Sequence, residues 1–350
     1  RLPGDRAPGC GCAGVTSPFR RYPRFGTVSI IAGNTGQLLV SGGAGFIGSH
    51  IVRRLLRNGE NVRVVDNLAT GSMHRLESWV STIEFVEGDL ADESIARTVT
   101  EGVDYVLHQA AVPSVQRSVA DPIATHRANV TATLNLLEAS RRAGVKRFVY
   151  AASSSAYGDT EILPKQEEMS PSPLSPYALQ KFVGERYCKL YFDLYGLETV
   201  SLRYFNVFGP EQDPHSEYSA VIPKFITRLL ADQTISISGD GEQSRDFTFI
   251  ENVVEANLLA IESANAAGQM CNIGCGARIT LNQLVALLEK EIGVAAKVVY
   301  GPAKVGDVRH SLADIGRAKS ILGYTPRIAV EEGLRRTVAA FKKDIINSAI

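Results

Sequence analysis

Apolar and polar residues follow two alternating patterns along the chain after residue 36. Residues 37–41 form a short, mostly apolar run that predicts a buried strand. Residues 45–58 instead repeat Ile47, Ile51 and Leu55 at helical spacing. The same alternation predicts further strands at 62–65, 83–86, 103–108 and 147–152, and helices near 92–101 and 121–143. Strands that alternate with helices in this way indicate an α/β fold built on a doubly wound parallel sheet.

The same pattern divides the chain into a leader and two larger parts. Residues 1–36 are rich in proline, glycine and arginine and show no periodicity. We favour a disordered or artefactual extension there, with a transit peptide as the alternative. Residues 37–205 are predicted to form the larger domain, to which a segment near 249–275 returns. Turn signals after residue 205 predict a smaller mixed α/β C-terminal domain, built from residues 206–248 and 276–350.

Overall charge and composition argue against several classes of protein. Basic and acidic residues both number 37, so we expect no partnership with nucleic acid or an anionic membrane. No run of 18 apolar residues occurs, which predicts no membrane-spanning helix. The five cysteines and six histidines lack metal-site spacing, so we expect no bound metal. The odd and scattered cysteines favour a reducing compartment, the cytoplasm.

A glycine-rich run follows the first predicted strand. It satisfies two spacings, one through Gly42, Gly45 and Gly48 and the other starting at Gly43, and spacing alone does not choose between them. Either arrangement places backbone N–H groups and a helix N-terminus against a pyrophosphate. Asp66 ends the next strand, where a carboxylate binds a ribose 2′-hydroxyl and repels a 2′-phosphate. The run therefore predicts a Rossmann-like domain that binds NAD rather than NADP, although a glycine turn that only permits close helix packing is the alternative.

A tyrosine and a lysine four residues apart carry the candidate chemistry. Tyr177 and Lys181 share one face of a predicted helix. A lysine cation, together with the charge of an oxidised nicotinamide, is expected to lower the pKa of the phenol. The phenolate could then remove a proton from an alcohol while a hydride leaves the same carbon. Ser153 could relay that proton, so the pattern predicts redox chemistry on a hydroxyl group.

Several motifs resemble those of the extended short-chain dehydrogenase/reductase superfamily, and the resemblance covers about residues 37–345. Within it, the chain looks like a nucleotide-sugar C4 epimerase, closest to those acting on UDP-N-acetylhexosamines. The motifs are Ser41-Gly-Gly-Ala-Gly-Phe-Ile-Gly48, Asp66-Asn67, Gly88-Asp89-Leu90, His108-Gln-Ala-Ala111, Tyr177-x3-Lys181, Arg203-Tyr-Phe-Asn-Val-Phe-Gly-Pro210 and Gly239-Asp-Gly-Glu-Gln-Ser-Arg-Asp-Phe247.

The resemblance implies roles for individual positions. Tyr177, Lys181 and Ser153 would be catalytic. Residues implied to bind NAD are Gly42, Gly45, Phe46, Ile47, Gly48, Asp66, Asn67, Asp89, Leu90, Ala110, Ala111, Asn129, Tyr177, Lys181, Tyr204 and Phe205. Residues implied to bind a UDP-sugar are Ser118, Ser153, Ser154, Ser155, Asn206, Gln212, Ala220, Lys224, Arg245, Asp307 and Ser311.

Three of these positions also have simpler interpretations. Asp89 could cap a helix that starts near residue 92, Arg245 could be a solvated turn charge, and Asn206 could be a turn residue.

The segment from Ser153 to Ser155 bears on the reaction type. In related 4,6-dehydratases this loop carries an aspartate–glutamate pair, and in related decarboxylases it carries a glutamate. Here the corresponding places hold serines and Ala156, so the resemblance implies that a ketone intermediate can only be reduced again. This favours epimerisation at C4, with a purely structural polar turn as the alternative.

The substrate rests on fewer positions. Ser311 stands where epimerases confined to non-acetylated sugars have a bulky tyrosine, which favours UDP-GlcNAc and UDP-GalNAc. Lys304 stands where many relatives have an arginine near the phosphates. A lysine keeps the positive charge but cannot form the paired hydrogen bonds of a guanidinium group, so the role of Lys304 stays open. UDP-glucose or UDP-glucuronate epimerisation and a catalytically silent nucleotide-sugar sensor remain alternatives. The resemblance also implies a homodimer through helices 121–143 and 176–196.

Overall fold

A seven-stranded sheet forms the centre of the part of the chain that the computed structural model describes, namely residues 36–214, 221–303 and 308–348. All neighbouring strands in this sheet are parallel, in the order β11-β6-β5-β4-β1-β2-β3. The strands are β1 Gln37–Ser41, β2 Asn61–Asp66, β3 Glu84–Glu87, β4 Tyr105–His108, β5 Arg147–Ser153, β6 Glu198–Tyr204, β7 Val207–Phe208, β8 Ile235–Ser238, β9 Ser244–Arg245, β10 Thr248–Phe249, β11 Gln269–Ile273, β12 Ile279–Thr280 and β13 Val298–Gly301.

Helices cover the sheet and extend beyond it. They are α1 Phe46–Arg57, α2 Glu93–Thr100, α3 Val115–Ala120, α4 Pro122–His126, α5 Ala132–Ala143, α6 Pro176–Tyr195, α7 Val221–Leu230, α8 Ile250–Glu262, α9 Leu281–Ile292, α10 Gly316–Leu322 and α11 Val330–Ser348. Short 3₁₀ turns span Met73–Thr82 and Ser154–Tyr157, and a π turn spans Arg127–Thr131.

The strand sequences explain why both faces of the sheet are covered. Successive side chains of a strand point to opposite faces. Leu38 and Val40 of β1 enter one hydrophobic cluster with α1 and α8, whereas Leu39 enters a second cluster with α2 and α5. A parallel sheet buried on both faces is a doubly wound α/β fold, so the predicted Rossmann-like class is confirmed.

The helical run predicted at 121–143 is interrupted. Asp121 accepts a hydrogen bond from the backbone N–H of Ala124 and so begins α4. The π turn then adds a local irregularity before α5 resumes the run to Gly144, whose φ of +71° ends the helix. The prediction of one uninterrupted helix was therefore incomplete at this point.

The chain after β6 divides between the large sheet and three small ones. Strand β11 lies beside β6 at the edge of the large sheet. The pairs β7–β10, β9–β12 and β8–β13 form separate two-stranded sheets. In the part of the chain that the structure describes, no helix is long and apolar enough to cross a membrane.

Buried polar pairs attach α6 to the sheet. The ammonium of Lys181 donates to the carbonyl oxygen of Ala151 at 2.8 Å. Glu185 accepts two hydrogen bonds at 2.7 Å from Arg203 of β6, with both side chains almost fully buried. Gly184 lies so close to Tyr150 that an added Cβ would stand 2.3 Å from its hydroxyl oxygen. These contacts fix where the N-terminal turn of α6 lies on the sheet.

Candidate active site

A cleft of about 860 Å³ opens at the carboxyl edge of the large sheet. Gly42 follows β1, Asp66 ends β2, Gln109 follows β4 and Ser153 ends β5, and all four line the cleft. Ligands of doubly wound sheets bind in such a crevice, outside the carboxyl ends of the strands. The cleft is therefore the candidate site.

The glycine run forms a tight cradle at one wall of this cleft. Gly42 has a φ of +67°, and an added Cβ would lie 2.6 Å from the backbone nitrogen of Ala110. A Cβ on Gly48 would lie 2.1 Å from the carbonyl oxygen of Gly42, and Gly45 begins α1. Gly43 instead faces Val64 of β2. The structure thus selects the spacing through Gly42, Gly45 and Gly48, with Phe46 and Ile47 also lining the cleft.

Asp66 lies buried at the end of β2 and is tied to the backbone. Its two carboxylate oxygens accept hydrogen bonds from the N–H groups of Ala44 at 3.0 Å and Leu68 at 2.8 Å. Burial raises its pKa, and those hydrogen bonds oppose the rise. Asn67 beside it also lines the cleft. The carboxylate is thus fixed in direction where it can meet a ribose.

Asp89 is not the cap of α2. Asp92 accepts from the N–H of Ser94 and begins that helix, so the simpler interpretation of Asp89 was wrong. Asp89 instead accepts from the N–H of Ala91 at 2.9 Å and lies 3.6 Å from a guanidinium nitrogen of Arg127. Asp89 and Leu90 both line the cleft, at the end formed by β3.

The loop after β4 is held by polar side chains. Ala110 and Ala111 line the cleft. Asn129, in the π turn, accepts from the N–H of Val112 at 2.7 Å and donates to Gln180 of α6 at 2.8 Å. It is buried behind the loop, so its contact is with the loop itself. The loop and α6 are therefore joined through one amide side chain.

Tyr177, Lys181 and Ser153 meet in the cleft, as predicted. All three line it, with Ser153 close enough to Tyr177 for the two side chains to interact. Burial lowers the pKa of Lys181 to about 8. Burial also raises the pKa of Tyr177, while the Ser153 hydrogen bond opposes that rise. The predicted lowering of the Tyr177 pKa includes the charge of an oxidised nicotinamide and stays a prediction; in the protein alone, burial has the larger effect and raises this pKa.

The serine segment is polar and contains no carboxylate. The hydroxyls of Ser153 and Ser155 lie 2.8 Å apart, and the N–H of Ser155 donates to the hydroxyl oxygen of Ser153. Ser154 lines the same wall. The segment can pass a proton between hydroxyl groups, but it holds no acid or base of its own for a second reaction step.

Four other predicted residues also line the cleft. Asn206, Gln212, Arg245 and Ser311 all do so. Arg245 also donates to the backbone carbonyl of Arg309 at 3.0 Å, which directs its guanidinium. Tyr204 lines the cleft as well and hydrogen bonds with Gln109 at 3.2 Å. These polar side chains thus line the same cleft as the glycine cradle.

Four predicted residues do not line the cleft, and one of them is Asn129, which contacts the loop after β4 instead. Phe205 is fully buried and packs against Tyr157, because alternate residues of this extended segment face opposite sides. Ser118 is fully buried, and its hydroxyl accepts from the N–H of Tyr177 at 3.0 Å instead of meeting a ligand. Lys224 lies on α7, away from the lining residues. Ala220 and Asp307, together with Lys304, fall outside the described residues.

Some cleft residues were missed by sequence reasoning. Arg75 lines the cleft and donates to the carbonyl oxygens of Ala44 and Glu211. Lys165 lines it while almost fully buried. Neither belongs to a recognisable motif, so only the three-dimensional arrangement reveals them. Among the described residues, no three His, Cys, Asp or Glu side chains come together as a metal site.

The cleft fits a dinucleotide. The glycine cradle leaves no room for side chains where the backbone must approach a pyrophosphate. Asp66 at the end of β2 and the Tyr177–Lys181 pair beside Ser153 complete the arrangement of an extended short-chain dehydrogenase/reductase. This is the class that the fold and the site define.

Comparisons with known proteins agree with this class. The sequence pattern of the NAD dependent epimerase/dehydratase family matches residues 38–274. A putative UDP-glucose 4-epimerase of Methanocaldococcus jannaschii is 40% identical over 310 residues, which are 88% of this chain and 99% of the relative. The chain therefore belongs to the NAD dependent epimerase/dehydratase family.

Two solved structures are similar over nearly their whole length. One is a UDP-glucose 4-epimerase with UDP-glucose from Thermotoga maritima, with a TM-score of 0.85, 40% identity and coverage of 88% of this chain and 99% of that chain. The other is a UDP-N-acetylglucosamine 4-epimerase from Methanobrevibacter ruminantium M1 in complex with UDP-N-acetylmuramic acid. It has a TM-score of 0.85 and 38% identity, with coverage of 89% and 99%.

Replacing Gly48 tests the glycine cradle. In Gly48→Ala, the new methyl group would stand 2.1 Å from the carbonyl oxygen of Gly42, so the turn must open. We expect loss of NAD binding by at least about tenfold, which corresponds to about 1.4 kcal/mol. Titration of NAD onto protein stripped of cofactor measures this. Gly301→Ala, where an added Cβ meets only the carbonyl oxygen of Ile237 at 3.9 Å, is the control for glycine replacement. Unchanged NAD affinity in Gly48→Ala would contradict the role of the cradle.

Proposed function

We propose that the protein is an NAD-dependent UDP-hexose 4-epimerase that interconverts UDP-GlcNAc and UDP-GalNAc. The proposal extends to the interconversion of UDP-glucose and UDP-galactose. The observation that carries it is the meeting of Tyr177, Lys181 and Ser153 in one cleft, whose serine segment contains no carboxylate. Both structural relatives are described as 4-epimerases of UDP-sugars.

The chain's own residues supply proton transfer and orientation. Bound NAD⁺ would supply the redox chemistry, which is reversible transfer of a hydride at C4 of the sugar. Tyr177 takes the proton of the C4 hydroxyl through Ser153 and later gives it back. Arg245 and Asn206 would hold the diphosphate, which leaves the 4-keto sugar free to present its other face. Return of the hydride to that face inverts C4.

The raised pKa of Tyr177 sets a condition on this mechanism. Burial disfavours the phenolate, so the protein alone holds the neutral phenol at neutral pH. Positive charge beside the ring must offset that effect. Lys181 is the nearby side chain that can carry it, and an oxidised nicotinamide supplies a second charge when bound. Tyr177 would therefore ionise more readily when the bound nicotinamide is oxidised.

Removing the phenol hydroxyl tests the assignment of the base. Tyr177→Phe should lower turnover by at least about a hundredfold, since general base catalysis contributes about 10²–10⁴-fold. Bound NAD should stay, because the hydroxyl is not part of the glycine cradle. Tyr195→Phe removes an exposed hydroxyl from the same helix and should leave turnover unchanged. Full turnover in Tyr177→Phe, measured by separation of C4 epimers, would contradict the assignment.

The preference for acetylated sugars rests on Ser311. Its small side chain lines the cleft while the residue is only 8% exposed, and its N–H donates to the carbonyl oxygen of Ser244 at 3.0 Å. Because the backbone is fixed, the size of the side chain at position 311 determines how much space the cleft has there. A serine leaves room for a 2-acetamido group that a tyrosine would occupy. One of the two structural relatives is described as a UDP-N-acetylglucosamine 4-epimerase.

Enlarging this position tests the substrate choice. Ser311→Tyr should abolish activity on UDP-GlcNAc by at least about a hundredfold while retaining activity on UDP-glucose. Ser311→Ala, which removes the hydroxyl without adding volume, should retain both. Parallel assays with UDP-GlcNAc, UDP-glucose and UDP-glucuronate measure this. An equal loss of activity on UDP-GlcNAc and UDP-glucose in Ser311→Tyr would contradict selection of the sugar by the space at position 311.

A silent sensor of NAD or nucleotide sugars is the second hypothesis. Binding alone requires neither a buried phenol nor a serine directed at it. The placement of Tyr177, Lys181 and Ser153 together in the cleft therefore favours the enzyme. We further propose that residues 37–205 with 249–275 hold the cofactor and that 206–248 with 276–350 hold the sugar nucleotide. Free thiols at Cys188, Cys271 and Cys275 fit the proposed cytoplasmic location.

A homodimer is part of the proposal, because apolar side chains are exposed on α4 and α6. Ile123 is 82% exposed and Leu194 is 67% exposed. Analytical ultracentrifugation should give the mass of two chains, and Ile123→Glu should shift the protein toward one chain. Ile345→Glu, at an exposed position on α11, is the control. A single-chain mass for the unaltered protein would contradict the dimer.

A further inference from the structure

Lys165 is a buried cation in the wall of the cleft that the mechanism above does not use. The residue is only 2% exposed although it lines the cleft. Among the hydrogen bonds of the described residues, its ammonium donates to the carbonyl oxygen of Thr160 at 2.7 Å. An ammonium group has three N–H donors, and a carbonyl oxygen satisfies one of them without neutralising the charge. Burial of such a group is costly unless further acceptors meet it.

The backbone of Lys165 is held rigidly. Its N–H donates to the carbonyl oxygen of Leu312 at 2.7 Å, and its own carbonyl accepts from Asp314 at 2.9 Å and from the side chain of Asn272 at 2.9 Å. The residue also forms a parallel bridge with Ala313. The side chain therefore starts from a fixed point and is pre-organised for a ligand.

Its neighbours place Lys165 at the sugar end of the cleft. Leu312 directly follows Ser311, which lines the proposed acetamido pocket. Thr160 follows the segment from Ser153 to Gly158, which lines the reacting end. Lys165 thus joins the two segments that flank the hexose, whereas Arg245 and Asn206 line the part of the cleft assigned to the diphosphate.

We propose that Lys165 donates a hydrogen bond to an oxygen of the substrate hexose and so determines how tightly the sugar, as distinct from the UDP, is held. This inference rests on the proposed function, because it presupposes a nucleotide sugar in the cleft. The acceptor is a ring hydroxyl or the carbonyl oxygen of the acetamido group. Each is a neutral oxygen acceptor that completes the hydrogen bonding of the ammonium without a second buried charge.

Binding titrations separate this role from a structural one. The titrations use Tyr177→Phe protein loaded with NAD, so that the sugar is not converted, and UDP, UDP-glucose and UDP-GlcNAc as ligands. Adding Lys165→Met should raise the Kd of UDP-sugars by about 10- to 100-fold, as expected for loss of one charge-assisted hydrogen bond, and leave the Kd of UDP unchanged. Lys165→Arg should restore part of the affinity. Lys319→Met, at an exposed position on α10, should change neither constant.

The pattern of losses identifies the acceptor and the possible failures. A loss shared by UDP-glucose and UDP-GlcNAc supports the proposal through a hydroxyl, and a loss confined to UDP-GlcNAc supports it through the acetyl carbonyl. Unchanged UDP-sugar binding in Lys165→Met, or an equal loss of UDP binding, would overturn the role of Lys165 and leave the proposed function standing. If protein with Lys165 intact binds no UDP-sugar, the proposed function fails, and this assignment fails with it. Thermal unfolding and NAD content of each variant establish that it is folded.

Discussion

The position of α6 on the sheet is the constraint on which the rest of the site depends. Lys181 and Glu185 are both buried on this helix, and a buried charge is stable only when hydrogen-bonded partners meet it. The carbonyl oxygen of Ala151 and the guanidinium of Arg203 provide those partners from neighbouring strands. Sliding or rotating the helix would break both contacts. The contacts therefore hold Tyr177, one turn before Lys181, beside Ser153 at the end of β5.

The glycine cradle is positioned by backbone contacts, whereas α6 is positioned by side chains. Gly48 and Gly42 approach so closely that neither tolerates a Cβ, and Gly42 also packs against the loop after β4. Asn129 joins that loop to Gln180 of α6. The glycine cradle, the loop and the catalytic helix are thus connected through direct contacts. Residues of all three parts line the cleft that we propose holds the dinucleotide.

Sequence patterns predicted the central sheet and the main site residues, because period and glycine spacing are local properties. They did not predict the orientation of Phe205 or Ser118, which depends on packing against Tyr157 and on the N–H of Tyr177. They also did not predict that burial raises the pKa of Tyr177 in the protein alone, since burial is a property of the whole fold. Lys165 was missed for the same reason: a single lysine outside any motif gains a role only from what surrounds it.

Retention of the C4 hydrogen tests the central claim most directly. The purified protein, with no NAD added, is incubated in ordinary water with UDP-GlcNAc carrying deuterium at C4, and the sugars are separated and analysed by mass spectrometry and NMR. The account predicts UDP-GalNAc that keeps deuterium at C4, since one hydride leaves and returns within the site. Product with hydrogen from solvent at C4 would contradict a transient oxidation whose hydride never leaves the protein. Absence of any C4 epimer from every UDP-sugar offered would contradict the assigned reaction.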